Sequence, residues 1–222
     1  MRRKIESVTT KILNARFSYL FFTIMLMFLL RPFLAGAKTL NLVTDIFLWV
    51  ILISCVWAVQ DKRKHQGIVM AMAIVVILTD IMDILLQTTL TSWVSTVAAA
   101  FFVSYAVVAI FLFLAKQKEV TADMIMAAAS EYVLIGILFA VLYNFVEAAY
   151  PGSFNFAGVE TNRPGFLYFS FVTLTTTGYG DVLPLSAQAR SLAAFEAVTG
   201  QLYIAITVAL LVGAYSTGRK KH

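Results

Sequence analysis

The stretch Ser170-Phe171-Val172-Thr173-Leu174-Thr175-Thr176-Thr177-Gly178-Tyr179-Gly180-Asp181 lies between two long apolar runs, at residues 124–149 and 191–215. Its reading decides the fold. The apolar piece that contains its first half, residues 164–176, is too short to cross a hydrocarbon core of about 30 Å as a helix. It is expected to be re-entrant, with Pro164 suited to its first turn, where a missing N–H does no harm. Non-helical backbone at membrane depth is tolerable only where it lines water or protein, so the threonine and glycine stretch should face an aqueous path. An ordinary extended strand points successive carbonyls in alternate directions. If left-handed residues alternate with ordinary ones, the carbonyls turn toward one axis, and glycine enters the left-handed region at little steric cost. Gly178 and Gly180 have that spacing of two. Several such strands around an axis stack rings of carbonyl oxygen, which replace the hydration shell of a cation without supplying a full negative charge.

The flanking sequence agrees with a bilayer setting. Of 222 residues, 60% are hydrophobic and 13% charged, with a mean hydropathy of +0.85. One small soluble core cannot hide so much apolar surface. Apolar runs of spanning length occur at 17–34, 40–59, 68–85, 94–115, 124–149 and 191–215, which predicts six spans. Thirteen of the 17 lysines and arginines fall at Arg2, Arg3, Lys4, Lys11 and Arg16, at Lys62 to Lys64, at Lys116 and Lys118, and at Arg219 to Lys221. Six spans put all four groups on one side, which is then cytoplasmic together with both termini, while residues 150–190 open outward. An odd number of spans would scatter the charge. The formal charge of +5 therefore reads as orientation rather than as a nucleic-acid site. Cys55 is the single cysteine, so no intrachain disulfide is possible. The N-terminal Arg2-Arg3-Lys4 and Ala35-Gly36-Ala37 suggest a signal peptide, but the apolar stretch between them is of spanning length and ends in Arg31-Pro32. A retained helix is expected. Two units follow: a four-helix part over 1–119, then a helix, re-entrant loop and helix over 120–222, joined near 117–121.

Thr176-Thr177-Gly178-Tyr179-Gly180 resembles the potassium channel family, whose signature is a Thr-x-Gly-Tyr-Gly filter following a pore helix. Here the motif follows threonines and a re-entrant piece, is trailed by Asp181, and lies between two spans in the right order. The resemblance implies an all-α membrane protein with six transmembrane helices and a pore helix and filter loop between the fifth and sixth. One filter strand per chain implies a homotetramer. It also implies passive potassium conduction, no enzymatic activity, no covalent cofactor, and K+ ions held in the filter. Thr176 would offer hydroxyl and carbonyl to the innermost site, Thr177, Gly178 and Tyr179 would supply carbonyl rings, Gly180 would complete the filter, and Asp181 would stand at the outer mouth. The pattern Glu196-x-x-x-Gly200-Gln201 is similar to prokaryotic members, which implies a bacterial inner membrane, with membrane lipids around the spans.

The chain departs from the family at three places. Thr177 stands where Val or Ile is usual, with its side chain expected toward the pore helix. Tyr168 and Phe169 replace a tryptophan pair, so aromatic packing survives but a Trp N–H bond to Asp181 cannot form. The fourth predicted span, residues 94–115, holds no Lys, Arg, Asp or Glu, so intrinsic voltage gating is not expected. Gly200, nineteen residues after Asp181, is either a gating hinge on the inner helix or a site of close helix packing. Gln201, Ile204 and Val208, at helical spacing, line a cavity or face neighbouring helices.

Charges within spans need partners. Arg31, Asp45, Asp80 and Asp83 all fall in the outer part of the membrane and suggest a buried cluster around Arg31, structural or sensing. Glu131, Glu147 and Glu196 would bond behind the filter or line a vestibule. His65 and His222 read as solvated. No residue pattern names a regulatory partner. The rival readings are a less selective monovalent cation channel, in which Thr177 loosens the filter, and a secondary cation transporter coupled through Asp45, Asp80 and Asp83. The transporter would show inverted repeats and paired broken helices, and the sequence has neither.

Overall fold

The structure, a computed structural model, describes residues 16–34, 49–50, 54, 63–117, 120–157 and 163–219. Most of the expected second span, with Asp45, lies outside the described residues, as does the Arg31 side chain. The described chain forms α1 (Arg16–Leu34), α2 (Arg63–Leu86), α3 (Thr89–Lys116), α4 (Ala122–Ala149), β1 (Phe154–Phe156), α5 (Arg163–Leu174), β2 (Val182–Pro184) and α6 (Ala187–Arg219). Four stretches are long and apolar enough to cross a membrane: Gly67–Leu86, Thr89–Lys116, Ala122–Ala149 and Ala187–Gly213. Two shorter apolar helical stretches, Phe17–Leu30 in α1 and Gly165–Leu174 in α5, accompany them.

Helix boundaries follow local chemistry. Gln87 and Thr88 alone connect α2 to α3, and Gln87 takes the left-handed conformation at φ 48°. So short a connection makes the two helices antiparallel neighbours. Thr88 caps α3 in a reciprocal arrangement with Thr91, and the Thr121 hydroxyl accepts the Met124 N–H at 3.2 Å to start α4. In α1 the N–H of Phe17 donates to the Asp123 carboxylate at 3.2 Å, tying the start of α1 to the start of α4.

α4 is the most enclosed of the spanning helices and touches α1, α3, α5 and α6. One apolar core joins it to α1, α2 and α3 through Phe17, Leu20, Val69, Phe102, Ile110 and Leu134. A second core lies behind α5 and is largely aromatic, with Tyr143, Phe154, Phe166 and Phe169 at its centre. Ring centroids stand 4.9 Å apart for Tyr143 and Phe169 and 5.2 Å for Phe154 and Phe166, within the range for favourable edge-to-face and tilted pairs. Flanking α5 and the loop after it, β1 and β2 pair antiparallel, with Asn155 opposite Leu183. The Glu147 carboxylate accepts the N–H groups of Gly152 (2.8 Å) and Phe154 (3.2 Å), and the Ser153 carbonyl accepts the Leu185 N–H at 2.7 Å. The segment ahead of α5 is thereby fastened to the segment behind the loop that follows it.

Candidate functional site

α5 has twelve residues and so rises only about 18 Å. It ends at Leu174, whose carbonyl accepts the Tyr132 hydroxyl of α4 at 3.2 Å. The loop beyond it alternates in hand: Thr176 (φ 57°), Gly178 (φ 57°) and Gly180 (φ 80°) are left-handed, and Thr177 and Tyr179 between them are not. Glycine adopts this region freely, whereas a β-branched residue such as Thr176 does so only under constraint. Hydrogen bonds supply that constraint. The N–H of Thr176 donates to the Thr173 carbonyl at 2.9 Å, and those of Thr177 and Gly178 both donate to the Val172 carbonyl, at 2.9 and 3.2 Å.

This arrangement orients the carbonyls. In a trans peptide the C=O of one residue points opposite to the N–H of the next, and there are no cis bonds among the described residues. Since three successive N–H groups turn back to α5, the carbonyls of Thr175, Thr176 and Thr177 point away from it. Side chains reinforce the arrangement. The Thr175 hydroxyl donates to the Phe171 carbonyl at 2.6 Å, which leaves the Thr177 hydroxyl as donor in the 2.9 Å contact between the two threonines. Thr177 therefore faces the α5 side and gains a bond that Val or Ile would lack.

At the outer end the Tyr168 hydroxyl donates to the Asp181 carboxylate at 2.5 Å, and the other carboxylate oxygen accepts the Val182 N–H at 3.0 Å. The tether that a tryptophan N–H would have made is thus made by a tyrosine. Its bond to Asp181 pushes the Tyr168 hydroxyl up to about 12, so it keeps its proton and stays a donor. Residues 175–180 are exposed in the single chain, Tyr179 included.

Other expected residues take up varied positions. Gly200 is buried, and a Cβ there would lie 2.5 Å from the Leu174 carbonyl oxygen, so the close-packing role has a visible partner. Gln201, Ile204 and Val208 are exposed, away from the face of α6 that buries Ala189, Glu196 and Gly200. Asp80 is buried and accepts from Ser95 (3.1 Å) and the Trp49 indole (3.3 Å). Asp83 accepts from the hydroxyls of Thr91 (2.9 Å) and Ser92 (2.6 Å). Both aspartates are therefore tied to α3. Glu131 meets the Tyr203 hydroxyl at 3.1 Å, and Glu196 lies behind α5 against Ser170 and Tyr143. Sequence reading had not singled out Tyr132, Tyr143, Ser170 or Thr175. The available signal was a polar atom inside an apolar helix, which needs a partner there.

Residues 127–216 match the ion channel family. The matched segment runs from within α4, through α5 and the loop, into α6. Among curated proteins the chain is similar to the inward rectifier potassium channel Kirbac3.1 of Paramagnetospirillum magnetotacticum, at 32% identity over 38% of this chain and 27% of the relative. It is also similar to the potassium voltage-gated channel protein shk-1 of Caenorhabditis elegans, at 34% identity over 36% of this chain and 14% of the relative. The mouse potassium voltage-gated channel subfamily A member 5 is 33% identical over 38% of this chain and 14% of its own length. The chain thus covers 27% or less of the length of these relatives. No solved structure gives a significant match. These likenesses support the potassium channel superfamily over less than half of this chain.

Proposed function

We propose that this chain is the pore-forming subunit of a potassium-selective channel, a homotetramer in which Thr176 to Gly180 of four chains surround one axis. The observation that carries this reading is the alternation of hand at Thr176, Gly178 and Gly180, with the intervening N–H groups turned back to α5. Carbonyls aimed away from α5 form rings only when copies meet, and rings of carbonyl oxygen suit a dehydrated monovalent cation. Asp181, held at the outer end by Tyr168, draws cations toward the mouth. The C-terminal end of α5 adds partial negative charge on the inner side.

In this reading α4 is the outer helix, α5 the pore helix and α6 the inner helix of residues 120–222, and residues 1–119 are a four-helix part that shares an apolar core with α4, with both termini cytoplasmic. α6 bends at Gly200 to open the path, and Gln201, Ile204 and Val208 line the cavity. The chain conducts potassium down its gradient and has no voltage sensor of its own. The test is flux from liposomes holding the purified protein, potassium against sodium, with Gly178→Ala as control. Potassium flux should exceed sodium flux strongly, and Gly178→Ala should abolish the difference, because a Cβ at positive φ strains the filter backbone. Equal flux of the two ions through the unmodified protein would make the pore a general monovalent one.

A further inference from the structure

Glu196 is the most enclosed charged-type side chain of α6, fully buried at the level of the middle of α5. Three elements converge on it. The Tyr143 hydroxyl of α4 donates to its Oε2, and the Ser170 hydroxyl oxygen of α5 lies 2.5 Å from its Oε1. The same Ser170 oxygen lies 2.7 Å from the carbonyl oxygen of Gly136 on α4.

Counting protons decides the state of this cluster. A serine hydroxyl has one proton to give, and a backbone carbonyl can only accept. If Glu196 were ionised, Ser170 would face two acceptors with one proton, and one of the two short contacts would set oxygen against oxygen with no hydrogen between them. If Glu196 carries a proton on Oε1, every contact is a hydrogen bond: Tyr143 donates to Glu196, Glu196 to Ser170, and Ser170 to Gly136. The titratable groups that face Glu196 from α4 are Tyr143 and, at longer range, Tyr132. Both are phenols and neither brings a positive charge. No described titratable group of α5 bonds to it, since Tyr168 is turned to Asp181.

We propose that Glu196 is a positioning residue that works as a neutral, protonated acid, locking the outer half of α6 to the back of the pore helix through the chain Tyr143, Glu196, Ser170, Gly136. The role rests on the channel reading above, because it matters only if α5 and its loop form a filter. Its place gives it meaning there. Ser170 sits two residues before Val172, whose carbonyl receives the N–H groups of Thr177 and Gly178. Glu196 sits one helical turn before Gly200, which rests on the Leu174 carbonyl. The lock therefore holds the support of the filter still on one side of Gly200 and leaves the other half of α6 free to swing.

The test separates the proton from the conduction. An infrared difference spectrum between the unmodified protein and Glu196→Gln in liposomes at neutral pH should show loss of the carbonyl stretch of a protonated carboxylic acid. Loss of a carboxylate band instead would overturn the proposal, and this reading needs no ion flux. In flux measurements Glu196→Gln, whose amide also donates to Ser170 and accepts from Tyr143, should keep the potassium-to-sodium ratio within about twofold. Glu196→Ala and Ser170→Ala should lower it by about tenfold, the scale of one unsatisfied buried hydrogen-bonding group. A Glu196→Gln protein as impaired as Glu196→Ala, or a Ser170→Ala protein of unchanged selectivity, would overturn the positioning role. A failure of the unmodified protein to conduct any potassium would instead overturn the channel reading, and with it the role of the lock, while the infrared result still decides the proton.

Discussion

Tyr168 reaches Asp181 with a hydroxyl where the resembled channels offer an indole N–H, and the exchange shows how little a residue type says without its neighbours. The phenol is longer than the indole N–H reach and ends in an oxygen, so the carboxylate is met at 2.5 Å from one side and by the Val182 N–H from the other. Tyr168→Phe keeps the ring packing and removes the tether alone. Potassium current through this variant is expected to decline several-fold faster during sustained flux, with the assembled protein intact on native gels, and an unchanged time course would show that the bond has no part in filter stability. Gly200 gives a second residue-scale test. Because a Cβ there meets a backbone carbonyl rather than a flexible side-chain end, Gly200→Ala should cost about 1–3 kcal/mol of stability through overpacking. Thermal unfolding in detergent measures this, and a pure hinge role would leave the midpoint where it was.

Among the elements, α3 and α5 differ most from what their length suggests. α3 is a full spanning helix whose described charge is confined to Lys116 in its last turn. One elementary charge moved through 100 mV is worth only about 2.3 kcal/mol, and steep gating needs several. The conductance in symmetrical potassium should therefore change only shallowly with voltage, and a steep curve with several equivalent charges would contradict it. α5 is too short to span, and its stability comes from what surrounds it: the aromatic core on one side, Tyr132 at its end, Ser170 in its middle. A helix of this length is marginal by itself in water. Its position is a tertiary property.

On the scale of the whole molecule, α1 reaches α5 directly. Phe28 of α1 meets Phe171 of α5 edge to face at 4.7 Å, and the space for the Phe171 ring is made by Gly136 of α4, where a Cβ would lie 2.7 Å from the ring. An apolar contact that involves no charge thus joins α1 to α5. A double-mutant cycle on Phe28→Leu and Phe171→Leu should return a coupling of about 0.5–1.5 kcal/mol in thermal unfolding. Additive effects would show that the two rings are neighbours without energetic coupling.

Much of this molecule was legible locally. Apolar length predicted the four helices that are long and apolar enough to cross a membrane among the described residues, because the cost of leaving backbone groups unpaired in lipid depends on a continuous run and not on distant neighbours, whereas the expected first span at 17–34 forms only a shorter apolar stretch, Phe17–Leu30. The spacing of Gly178 and Gly180 foretold alternation of hand, since a positive φ is a property of a single residue. That Thr176 would join them was not legible, because a β-branched residue takes that conformation only where α5 holds its N–H. Likewise, Glu196 announced by its presence in an apolar helix that it needed a partner, but Ser170 lies 26 residues away and Tyr143 lies 53 away. Sequence by itself determined which helices are long and apolar enough to cross a membrane and where the backbone leaves regular structure, because these are costs borne residue by residue. Tertiary structure alone decided which polar atoms meet behind the filter, because a hydrogen bond is short and directional and depends on how three helices pack.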